Sequence, residues 1–100
     1  MATVRDNPDR LRYEVFDDDG ALAGFAQYVL RSDRMIFVHT EIDDAFEGKG
    51  LGSKLAAGAL DDVRRRGHLV VPLCPFIASY IERHPEYDDL VDHAALAALS

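Results

Sequence analysis

The segment Glu47-Gly48-Lys49-Gly50-Leu51-Gly52-Ser53 sets a glycine at every second position, between two patterned runs. Before it stands MIFVHTEI (35–42), which reads as a strand. After it Leu51, Leu55, Ala59 and Val63 recur at four-residue steps, and Leu60 widens the stripe, so a helix is expected from about Gly50 to Arg66. HLVVPLC (68–74) follows as a short, continuous apolar strand. Strand, helix and strand in that order demand a parallel pair joined by a crossover helix. The unit also puts the most flexible residues where a helix has to begin. Each glycine costs a helix roughly 0.5–1 kcal/mol relative to alanine, so the junction has a use for bare backbone.

The rest of the chain is arranged around that unit. Residues 1–10 are polar, contain Pro8, and read as a flexible N-terminal arm. LRYEVF (11–16) alternates Leu11, Tyr13 and Val15 against Arg12 and Glu14, the pattern of a half-buried strand. DDDG (17–20) ends in Asp-Gly, a tight-turn signal. ALAGFAQYVLR (21–31) is a second strand with a bulge expected at Gly24, and SDR is another turn. Short turns join antiparallel neighbours. PFIASYIERHP (75–85) opens with a first-turn proline and predicts a helix. EYDDLVD is an edge strand or a loop, and HAALAALS a terminal helix. The order βββαβα predicts an α+β fold: one domain over 11–100, a mostly antiparallel sheet gaining one parallel strand, and helices packed on it.

Composition narrows the function. At 100 residues and 48% hydrophobic the chain holds one modest core. A net charge of −7 argues against a nucleic-acid partner and against adhesion to an anionic membrane. The single cysteine, Cys74, excludes an internal disulfide and suits a reducing, cytoplasmic setting. The N-terminus has no apolar leader, and no run approaches the roughly 20 apolar residues of a membrane span. The histidines have no ligand spacing that indicates a metal.

A helix start carries unpaired N–H groups and a partial positive charge. Glycines let such groups close on a phosphate. EGKGLGS therefore reads either as an anion cradle, with Lys49 as an added cation, or as a plain flexible entry to a helix. It is not a P-loop, which needs G-x-x-x-x-G-K-[ST]. It is not the dinucleotide G-x-G-x-x-G either, because Ser53 stands at the third glycine position.

The loop resembles the [QR]-x-x-G-x-[GA] pattern of the GNAT acetyltransferase superfamily, with Glu47 in place of glutamine or arginine. Over roughly residues 10–91, HTEIDDAFEGKGLGSKL and VVPLCPFIASYIERHPEY resemble its small one-domain YjdJ-type branch, where that glutamate is usual. The resemblance implies an acetyl-CoA-dependent N-acetyltransferase. Coenzyme A pyrophosphate would lie on the N–H groups of Gly48, Lys49, Gly50, Leu51, Gly52 and Ser53. The pantetheine arm would pair with backbone around Thr40, Glu41 and Ile42, where two strands splay. That branch is shorter than most of the superfamily and lacks the N-terminal helices that usually form part of the acceptor site. An amine acceptor, small molecule or peptide, is implied, with a monomer or a homodimer sharing that site. A coenzyme A-binding module without efficient turnover is the alternative.

Four side chains are candidates for chemistry. His39 and Glu41 lie two apart on a strand and share a face with Phe37, opposite Ile36, Val38, Thr40 and Ile42. Each is a general base or part of a solvated sheet face. Cys74, ahead of Pro75 at a helix start that favours a thiolate, accepts the acetyl group and passes it on, lines the acetyl end of the site, or packs as a small hydrophobe. Tyr80 falls where many GNAT enzymes carry the tyrosine that protonates the departing thiolate; otherwise it packs beside Phe76, Ile77 and Ile81. His39 and Glu41 are expected to open into the same cleft as the Cys74 sulfur. His84 and Tyr87 read as fixing the turn after the helix.

Overall fold

Two tight turns fold the first strands into hairpins. At residues 17–20 the Asp17 carboxylate accepts from the N–H groups of Asp19 and Ala21, and Gly20 takes φ +83. At residues 32–33 Ser32 takes φ +58. The computed structural model describes residues 1–100 as β1 (Thr3–Asn7), β2 (Arg12–Phe16), β3 (Leu22–Arg31), β4 (Arg34–Ile42), α1 (Leu51–Arg65), β5 (Leu69–Pro72), α2 (Pro75–Arg83) and α3 (His93–Leu99). The five strands lie in the sheet in chain order, β1 to β4 antiparallel and β5 parallel to β4 across the α1 crossover. This is the expected α+β architecture. No helix is long and apolar enough to cross a membrane.

The core is a single cluster on one face of the sheet. Tyr13, Val15, Tyr28, Met35 and Phe37 pack under Leu55, Leu60 and Val63 of α1 and Ile77 and Ile81 of α2. The four-residue stripe read from the sequence is the buried stripe of α1.

The loose arm expected over residues 1–10 is corrected. Thr3–Asn7 pair with Arg12–Phe16 as β1, and a 3₁₀ turn at Pro8–Arg10 returns the chain. Leu11 ends that turn at φ +53 and is exposed, so β2 starts one residue later than expected. An edge strand needs little apolar material, and Val4 supplies it by lying against α1. A Cβ on Gly58 would come within 2.7 Å of Val4 Cβ, so the mid-helix glycine is what lets the strand approach. Polar groups finish the attachment. The Tyr28 hydroxyl donates to Asp6 at 2.6 Å and the Tyr13 hydroxyl to Asp62 at 2.6 Å, while Arg66 bridges both carboxylates at 2.9 Å. Burial, reinforced by the carboxylate acceptors, pushes both phenols' pKa values up. Burial acts upward on Asp62 too, but hydrogen bonds from Tyr13 and Arg65 and the Arg66 charge hold its carboxyl below the usual range.

After α2, EYDDLVD is neither strand nor open loop. Pro85–Leu90 coil as a 3₁₀ segment, and Val91 makes a single parallel bridge to Val70. Asp92 then caps α3 and accepts from Arg34 Nε at 2.6 Å.

Gly58→Ala tests the β1 attachment. Alanine is the better helix former by up to about 1 kcal/mol, yet it should destabilise the protein by roughly 1–3 kcal/mol through the clash with Val4. Val4→Ala in that background should recover part of the loss. Urea unfolding that finds Gly58→Ala more stable than wild type would remove β1 from the packing.

Candidate functional site

The site begins where β4 and β5 part. Pairing between them runs only from Arg34–Leu69 to Phe37–Pro72. The Cys74 N–H then donates to the Phe37 carbonyl at 2.9 Å. Past that point β4 continues to Ile42 with β3 as its only strand neighbour. The Asp43 N–H donates to Ala23 O at 2.8 Å. An antiparallel ladder alternates, so stepping back by two puts the backbone groups of Glu41 and His39 on β3. Those of Thr40 and Ile42 then face the open edge.

A bulge marks the same point. Gln27 faces His39 while Tyr28 faces Phe37, which leaves Val38 as an extra residue. One extra residue reverses the alternation beyond it. Phe37 lies in the core, and Thr40, not His39, continues on that side: its Oγ1 stands 3.1 Å from Cys74 Sγ. His39 and Glu41 point to the opposite face, where the His39 ring is 6.1 Å from that of Phe25. The expected face is thus half right. His39 and Glu41 do share a face, with Nε2 and Oε1 3.2 Å apart, but not that of Phe37. The common cleft expected for His39, Glu41 and the Cys74 sulfur is corrected for the same reason.

The three loop glycines have two physical roles. Gly48 and Gly50 take φ +81 and +73 in open surroundings, a conformation that side chains resist. Gly52 has an ordinary φ, and a Cβ there would stand 2.9 Å from Phe76 Cζ, so it serves packing against α2. Gly50 is the N-cap of α1 and offers no side-chain hydrogen bond. The helix therefore leaves the N–H groups of Leu51, Gly52 and Ser53 unpaired, aimed out of its start. Lys49 Nζ lies 5.8 Å from the centre of the Phe46 ring.

Cys74 is buried and forms the N-cap of α2, with Pro75 at the first helical position. Tyr80 sits farther down α2, stacked on His84 with ring centres 4.0 Å apart. Burial raises its pKa, and the charges of Glu86 and Asp61 act the same way. His84 Nδ1 contacts Tyr80 O at 2.9 Å and the Tyr87 hydroxyl donates to Asp61 at 2.7 Å, so both residues fasten this turn as expected. The four candidates thus occupy three places: Cys74 beside Thr40, Tyr80 in the α2 stack, and His39 with Glu41 across the sheet.

Reading from sequence missed the neighbours of His39 and Glu41. A hollow of about 680 Å³ opens beside them, lined among others by Arg12, Phe25, Thr40, Glu41, Ile42 and Asp44. Arg12 Nε donates to Glu14 at 2.8 Å, and its guanidinium lies 4.6 Å from the centre of the Phe25 ring. The alternation of Arg12 and Glu14 is the signal for this surface in the sequence, and by itself it marks only the polar side of a strand.

Residues 12–90 match the family model for GCN5-related N-acetyl-transferases. The chain belongs to that family, and by that membership it is an N-acetyltransferase. Among solved structures it is similar to the solution structure of a GCN5-like protein from Staphylococcus aureus, with TM-score 0.67 and 19% identity over 89% of this chain and 86% of that one. That likeness speaks for the fold. A partial likeness to the crystal structure of nourseothricin acetyltransferase has TM-score 0.43 and 30% identity over 57% of this chain and 35% of that one. No curated protein matches the chain.

Combining each glycine change with Phe76→Leu should separate the two glycine roles. Gly52→Ala and Gly50→Ala should each destabilise by roughly 1–2 kcal/mol. The double mutant should recover most of the Gly52→Ala loss and none of the Gly50→Ala loss, read by urea unfolding. Equal rescue of both would contradict the assignment.

Proposed function

We propose that this chain transfers an acetyl group from acetyl-CoA to an amine acceptor, and that it falls in the YjdJ-type branch its motifs resemble. One observation carries the reading: an open strand edge at Thr40 and Ile42 leads to an uncapped helix start with unpaired N–H groups. Those two features fit the two ends of one ligand. An amide-bearing arm extends a sheet at an open edge, and a pyrophosphate suits N–H groups at a helix start. In this reading the backbone of Thr40, Glu41 and Ile42 meets the pantetheine arm. The N–H groups of Gly48, Lys49, Gly50, Leu51, Gly52 and Ser53 meet the pyrophosphate, with Lys49 adding charge. Acetyl-CoA supplies an activated thioester, and Cys74 with Thr40 lines its acetyl end.

The roles of the other candidates follow from where they stand. His39 and Glu41 occupy the side of β4 away from Cys74, which suits a base that meets the acceptor from across the sheet. Tyr80, a phenol on α2, is the candidate acid for the departing thiolate. The protein acts as a monomer or a homodimer in a reducing, cytoplasmic setting, which the lone thiol suits.

A second reading, a coenzyme A-binding module without efficient turnover, draws on the separation of Cys74, Tyr80 and the His39–Glu41 pair. Incubation with acetyl-CoA and a panel of amines, followed by mass spectrometry of acceptor and protein, divides the two. An acetylated amine supports the enzyme; coenzyme A affinity with no acetylated product supports the module.

Cys74→Ala sharpens the test. With the thiol as a lining group, the alanine variant should keep most of its transfer and bind coenzyme A within a few-fold of wild type. Loss of nearly all transfer, together with an acetyl adduct found only on wild-type protein, would instead make Cys74 the nucleophile.

A further inference from the structure

The face of the sheet opposite the core is covered by neither α1 nor α2, whose buried residues all join the cluster on the other side. At the β5 end Val71 is fully buried on this face, on the strand that α3 contacts; over β2 to β4 no helix covers it, and there the strand register lays two rows of side chains. Arg12, Gln27 and His39 form one row across β2, β3 and β4; Glu14, Phe25 and Glu41 form the next. Phe25 is the aromatic centre of the patch, with Arg12 over its ring and His39 beside it. The 680 Å³ hollow runs from Arg12 and Phe25 to Thr40 and Ile42, so it abuts the same residues that form the open edge of β4.

Charge tells what the hollow would accept. Arg12 is already neutralised by Glu14, which also accepts from Asn7 at 3.3 Å. The remaining charged groups in the lining are Glu41, Asp43 and Asp44, all acidic. Glu41 and Asp44 both line it, three residues apart and so no more than about 10 Å from one another at the rise of an extended chain. An apolar stem on Phe25 and Leu22, with a cation at each end, matches this lining. A carboxylate does not.

We propose that this bare-faced hollow is the acceptor pocket and that it takes a small alkyl diamine, with Phe25 as its specificity-determining floor. The proposal rests on the acetyl-transfer reading above. One amine lies at Glu41 where the hollow meets Thr40, the residue that borders the acetyl end, and the second, as an ammonium, lies at Asp44. In the transfer the amine nitrogen bonds to the acetyl carbon and the carbon–sulfur bond breaks. The reacting ammonium gives up two protons: coenzyme A leaves as the thiol with one, and the other passes to water through His39 and Glu41. The neutral pair of Arg12 and Glu14 fixes the floor without drawing an anion.

The full-length protein with acetyl-CoA and three probes tests this: cadaverine, pentylamine, and aminohexanoate, which replaces one ammonium with a carboxylate. Cadaverine should exceed both others in kcat/KM by about fivefold, the scale of an ammonium held by exposed carboxylates. Asp44→Asn should cut the cadaverine-to-pentylamine ratio by about threefold. Phe25→Leu, which keeps an apolar floor for folding, should raise KM for cadaverine more than it lowers kcat. Backbone amide shifts on adding cadaverine alone should cluster at Phe25, Glu41 and Asp44. Equal use of cadaverine and pentylamine, a preference for aminohexanoate, or shifts gathered at Val4 and Asp61 would overturn the pocket and leave the acetyl-transfer reading standing. No transfer to any amine together with no affinity for coenzyme A would overturn both.

Discussion

The hydrogen bond from Cys74 N–H to the Phe37 carbonyl is the last backbone tie between β4 and the chain leaving β5. A parallel pair would ordinarily run on, since each further residue adds backbone pairing. Here β5 has only four residues, and Pro72 in its last position lacks an N–H to donate. Pro75 then starts α2 and takes the chain away. β4, held by β3 alone, runs five residues further and bulges as it is released. Everything assigned to the site depends on this release. It frees the edge at Thr40 and Ile42, turns Thr40 toward the thiol, and sends His39 and Glu41 to the opposite face.

The bulge also explains why the fold was easier to read than the site. Strand and helix runs are long enough for periodicity to survive one irregular residue. The α1 stripe, the two hairpins and the parallel β5 follow from patterns several residues long. A site depends on the phase of single residues. MIFVHTEI alternates as written, and nothing in those eight letters marks Val38 as unpaired. The bulge arises from the register between Gln27–Tyr28 and Phe37–His39, which is a property of two strands. The convergence expected of His39 with Cys74 failed on that one residue. β1 was missed for a different reason. TVRDN has a single aliphatic side chain, and its ties to α1 and the turn after it lie in Gly58 and Arg66, more than fifty residues later in the chain.

The glycine loop divides in a similar way. Gly48 and Gly50 have the backbone freedom that the spacing suggested, whereas Gly52 is fixed by contact with Phe76 on an element formed later in the chain. Only two of the three alternating glycines therefore bear on the shape of the loop itself. A short chain gains from this economy. Over β2 to β4, where no helix covers its second face, the sheet leaves His39 and Glu41 exposed and Arg12 and Phe25 half-buried, and one strand serves two surfaces.

The central claim is that one ligand spans the open edge of β4 and the start of α1. Amide chemical-shift mapping with coenzyme A tests it most directly. The account predicts large shifts at Thr40 and Ile42 and across Gly48 to Ser53, with slowed hydrogen exchange at whichever edge amides become paired. Shifts confined to the loop, with the Thr40 and Ile42 amides unmoved, would contradict it.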